Sequence, residues 1–83
     1  MKLFRLSQTA VTGYDTYDSC VVVAPDPISA VSIHPSGSPL TDYPKYDYGD
    51  WPTRTIDISI EYLGEAAPTY TKPAVICASF RAG

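Results

Sequence analysis

Two cysteines in 83 residues are too few for a disulfide framework, and neither Cys20 nor Cys77 sits in a metal-ligand spacing. One histidine, His34, and two separated thiols do not make a zinc site. No apolar run reaches the length of a membrane span. The opening Met1-Lys2-Leu3-Phe4-Arg5-Leu6 is broken by charge where a secretion signal stays apolar, so the expectation is a cytoplasmic protein with reduced thiols. Basic clusters are also missing. Nine acids face six bases for a net charge of −3, and a chain that grips long nucleic acid by its phosphates shows the opposite balance.

Catalytic signatures are equally scarce. Neither G-x-x-x-x-G-K-[ST] nor G-x-G-x-x-G occurs, so no phosphate loop is encoded. No serine or cysteine pattern supplies a nucleophile for His34 to activate. A lone histidine before a proline reads instead as a helix-terminal residue, favoured by the adjacent carbonyls. Paired carboxylates such as Asp15 and Asp18 are the residue type that does acid–base work, yet nothing separates them from solvated loop acids. The reading is a non-enzymatic protein without a cofactor or metal.

The length allows one small domain, 1–83. A chain this short buries only about 60–65% of the surface it exposes when unfolded, so self-association is the expected supplement. Ile56-Asp57-Ile58-Ser59-Ile60-Glu61-Tyr62 alternates strictly, which predicts a strand with Ile56, Ile58, Ile60 and Tyr62 facing a core. Further strands are predicted over 2–8, 20–24 and 74–80, the last with Ala74, Ile76, Ala78 and Phe80 on one side. Both cysteines fall in these strands, where small thiols are commonly buried.

Asp26-Pro27 predicts a helix start, since a carboxylate caps free N–H groups and proline is tolerated at the first position. Ile28, Ala30 and Val31 form its apolar stripe, and His34-Pro35 ends it. The order is strand, strand, helix, strand, strand. The fold class is α+β: a four-stranded, mainly antiparallel sheet with one short helix and a long aromatic-rich loop over 35–55. Loops of that length are uncommon in compact domains and are functional or disordered. Disordered tracts are poor in aromatics, and this one is rich, so it reads as an ordered binding or assembly loop. The competing reading folds Trp51 and the tyrosines back as a lid on a small core.

Five of the seven tyrosines fall in two blocks. Gly13-Tyr14-Asp15-Thr16-Tyr17-Asp18-Ser19 is the first. Asp42-Tyr43-Pro44-Lys45-Tyr46-Asp47-Tyr48-Gly49-Asp50-Trp51 is the second. Both interleave rings with carboxylates, a mix that suits recognition. The candidate ligand-binding set is Tyr14, Asp15, Tyr17, Asp18, Tyr43, Tyr46, Tyr48, Trp51 and Arg54. The rings would stack on bases, and Arg54 or Lys45 would lie near phosphate; Arg5 and Arg81 are the other available arginines. The same rings would equally anchor a protein partner, or simply pack the domain.

The opening Met1-Lys2-Leu3-Phe4-Arg5-Leu6-Ser7-Gln8, the Gly13–Ser19 block, Ile33-His34-Pro35 and the closing Ala78-Ser79-Phe80-Arg81-Ala82-Gly83 together resemble a group of small uncharacterised proteins of bacteria and their phages. No activity or site comes with that resemblance. It implies a bacterial host's cytoplasm and a phage context, in which small non-catalytic proteins act as anti-defence, immune-evasion factors. Some such factors are oligomeric sponges that sequester nucleotide messengers. Others block a defence complex by contact, in the manner of an anti-CRISPR protein. A structural or accessory module without its own ligand is the third reading.

Overall fold

The computed structural model describes residues 1–37 and 49–82. Four strands, β1 (Lys2–Ser7), β2 (Thr16–Ala24), β3 (Ser59–Glu65) and β4 (Ala74–Arg81), form one sheet in the order β3-β1-β2-β4. Every pairing is antiparallel. Among the described residues one α-helix, α1 (Pro27–Val31), and a 3-10 turn over Thr55–Asp57 lie between the second and third strands. The α+β sheet with one helix is as the sequence predicted.

Register explains which side of the sheet is dry. Phe4 lies opposite Val22 and Leu6 opposite Cys20, so these four side chains share a face. On that face they bury together with Ala24, with Ala30 of α1, and with Trp51 and Ile58. Transferring Phe4, Leu6 and Val22 from water stabilises the fold by roughly 1.5–3 kcal/mol per side chain. The opposite face carries Arg5 of β1 paired in register with Glu61 of β3, an exposed ion pair at 3.9 Å that adds little.

Helix α1 begins and ends for local reasons. Asp26 is extended at φ −154°, and its carboxylate accepts the Ser29 N–H at 2.7 Å. Pro27 fills a first-turn position that needs no donor. At the other end the Ser32 N–H returns to the Ser29 carbonyl, and its hydroxyl donates to the same carbonyl at 2.7 Å. Five residues are far too few to hold a helix in water, so packing of Ala30 on the sheet sustains it. Ile28, placed on the apolar stripe by sequence, is 82% exposed.

Three bulges adjust the strands. Leu63 is passed over between the Leu3–Gly64 and Phe4–Tyr62 pairs, with Gly64 at φ 144°. Asp18 is skipped in β2 and Ile76 in β4. A bulge moves later residues to the other face. Hence Val75, rather than Ile76, packs on the core. The 56–62 alternation also needs correction. Ile56 is 79% exposed in the 3-10 turn, β3 starts at Ser59, and Ile60 and Tyr62 remain partly exposed because β3 is an edge strand. Cys20 is buried as expected, and the burial pushes its thiol up to about 12; Cys77 is exposed.

Candidate functional site

The connection from β1 to β2 is built by one buried amide. Gln8 donates from Nε2 to the carbonyls of Val11 at 2.8 Å and Tyr17 at 2.7 Å, and its Oε1 accepts the Val11 N–H at 2.7 Å. Those bonds satisfy a polar side chain only 7% exposed. Thr16 adds a hydroxyl bond to the Gly13 carbonyl at 2.8 Å. Gly13 at φ 109° and Asp15 at φ 60° turn the chain through the left-handed region, and Tyr14 between them is 76% exposed.

This turn meets two other parts of the chain. The Tyr17 N–H donates to the Asp50 carbonyl at 2.9 Å, which joins the first tyrosine block to the end of the second. The Asp15 N–H donates to the Arg81 carbonyl, and Tyr17 pairs with Phe80 across β2 and β4. Their rings lie 4.7 Å apart at 59°. One end of the sheet therefore gathers Tyr14, Asp15, Tyr17, Asp18, Phe80 and Arg81. The Ser79 hydroxyl, and more weakly the Arg81 guanidinium, hold the Asp18 carboxyl below its ordinary range, so it is an anion at neutral pH.

Beside this surface His34 is 3% exposed and fully engaged. The Ser36 N–H donates to Nδ1 at 3.0 Å, so that nitrogen carries the lone pair and Nε2–H donates to Asp50 Oδ1 at 3.2 Å. Ser36 Oγ also lies 2.6 Å from Nδ1. A hydroxyl, an imidazole and a carboxylate in line resemble a nucleophile relay. Here, however, the Nδ1 lone pair is shared with the Ser36 backbone two residues along, as in a closed turn. The Tyr17 ring stands edge-on to the imidazole at 5.7 Å, and Trp51 lies 6.5 Å away. Burial lowers the His34 pKa against the opposing pull of Asp50. The group ties the chain before residue 38 to the chain after residue 48.

The sequence-derived site is thus partly assembled and partly corrected. Tyr14, Asp15 and Asp18 are on the surface, and Tyr17 is half-buried between Phe80 and His34. Trp51 is not a surface ring. It is 1% exposed in the core, so the lid reading holds for this residue, and its Nε1–H has no partner among the described residues. Arg54 is 72% exposed and pairs with Asp57 at 3.8 Å at the start of the 3-10 turn. Tyr43, Tyr46 and Tyr48, with Lys45, lie outside the described residues. Phe80 and Ser79 were not selected by sequence reasoning, because only the β2–β4 register brings them to the turn.

No described group of His, Cys, Asp and Glu is arranged to hold a metal ion. Among the described residues no helix is long and apolar enough to cross a membrane. No family model, no curated protein and no solved structure matches the chain.

Proposed function

We propose that the protein is a non-catalytic binding protein that captures a small nucleotide-like ligand at the end of the sheet where the two tyrosine–aspartate blocks meet. The observation that carries this reading is the β2–β4 register with the Asp15–Arg81 backbone bond, which sets the exposed Tyr14 turn, the Phe80 ring and Arg81 on one surface, while the Tyr17–Asp50 bond brings the end of the second block beside it. Tyr14 stacks on a base, a contact worth roughly 1–3 kcal/mol. Arg81 faces phosphate, and the ionised Asp18 accepts hydrogen bonds from an exocyclic amine. In a phage setting such capture serves immune evasion by sequestration.

Isothermal titration of the folded protein against cyclic di- and trinucleotides and mononucleotides tests the reading. Binding that Tyr14→Ala weakens by roughly 5- to 150-fold supports it, the range following from one lost stack. Absence of heat across the panel overturns it. Recovery of a stoichiometric host protein in its place moves the same surface to protein recognition, where exposed aromatics and charge act as anchors.

A further inference from the structure

Among the described residues, β3 and β4 are the outer strands of the sheet, and their edges are unlike. Strand β3 carries Glu61 and Glu65, is offset by the Leu63 bulge and is touched by α1. Charges and bulges at an edge are the devices that stop strands from pairing with other chains. Strand β4 has the sequence Ala74-Val75-Ile76-Cys77-Ala78-Ser79-Phe80-Arg81, with no proline and no charge before its last residue. Among the described elements it packs on β2 and makes no substantial contact with any other. Its own single bulge is at Ile76, and from Cys77 to Arg81 no residue of β4 is skipped; the other shift in this pair lies on β2, at Asp18. Ile76 and Phe80 are 39% and 47% exposed beside that edge.

We propose that the outer edge of β4 pairs antiparallel with β4 of a second copy, making one continuous eight-stranded sheet across a twofold axis. An antiparallel pair of identical strands is isologous, so β4 is complementary to itself and requires no other protein. The charges agree. Arg81 stands at the end of the strand, so a twofold within β4 holds the two guanidinium groups apart. The same operation on β3 sets Glu61, one step from that strand's centre, beside its own copy. The area is modest. A standard interface takes about 800 Å² per partner, roughly a sixth of the 5148 Å² surface of the chain. Pairing through one edge buries less than a standard interface, so assembly is expected to depend on protein concentration. Because the two new outer edges are both β3, growth stops at two copies.

Light scattering on a sizing column, over about 1 to 500 micromolar protein, reads the outcome directly. The wild-type chain gives twice the 9.0 kDa of one copy as concentration rises. Cys77→Lys, at an exposed edge position, returns the mass to one copy, whereas Cys77→Ser keeps the dimer. Far-UV circular dichroism confirms folding, and Ile76→Lys serves in its place if Cys77→Lys fails to fold. A single-copy mass at every concentration overturns the proposal, as does a dimer that both lysine variants leave intact. A mass above two copies overturns the guarded role of β3.

Discussion

Replacing Trp51 separates burial from hydrogen bonding in a way few core positions allow. The indole is 1% exposed, and its Nε1–H has no partner among the described residues. Trp51→Ala removes the largest side chain of the core and leaves a cavity, at a cost of about 3–5 kcal/mol. The total stability of a chain of this size is about 4–12 kcal/mol, so the variant is expected at the margin of folding. Trp51→Phe is different. It gives up about 50–100 Å² of apolar contact, or roughly 1–2.5 kcal/mol. It also removes a buried donor whose desolvation without a partner costs about 1–3 kcal/mol. The two nearly cancel, and Trp51→Phe is expected within about 1 kcal/mol of wild type. Urea unfolding followed by far-UV circular dichroism compares the three proteins, since Trp51 is the only tryptophan and indole emission is lost with it. A Trp51→Phe loss as large as that of Trp51→Ala refutes the unpartnered N–H. A silent Trp51→Ala refutes the burial itself and returns the ring to the surface.

Two further outcomes follow from polar groups. The pKa of His34 is lowered in the folded state from an ordinary 6.5, mainly by burial, so the unfolded chain binds the proton more readily. Its contribution is fully present above pH 6.5 and is lost as pH falls from there through the folded pKa; urea midpoints should drop over that window, and His34→Gln should flatten the drop. Asp18 and Asp26 are shifted below 3.8, so their contributions go only at lower pH and do not confuse the result. Asp26→Ala removes the cap of α1 and should cost about 1 kcal/mol, read by the same unfolding measurement; an unchanged midpoint would show that Ala30 packing alone holds the helix.

The sequence by itself determined the class of fold and much of its punctuation. Alternation and β-branched runs placed four strands, and Asp26-Pro27 marked the helix start, because these signals act through neighbouring backbone; the helix ends at Val31 with Ser32 as its cap, short of the His34-Pro35 stop that the sequence predicted. Bulges escape such reasoning. Leu63, Asp18 and Ile76 are skipped only because a partner strand sets the register, and this moved Val75 to the core in place of Ile76. Edge position likewise left Ile60 and Tyr62 partly exposed despite strict alternation. The tyrosine blocks were legible as composition, but their junction was not. That junction rests on Tyr17 bonding Asp50, on Asp15 bonding Arg81 and on Phe80 lying against Tyr17, contacts between residues 33 to 66 positions apart. Trp51 shows the same limit from the other side. An aromatic beside carboxylates reads alike whether it stacks on a ligand or fills a core, and only packing by Phe4, Leu6, Val22 and Ala30 decides that it is buried.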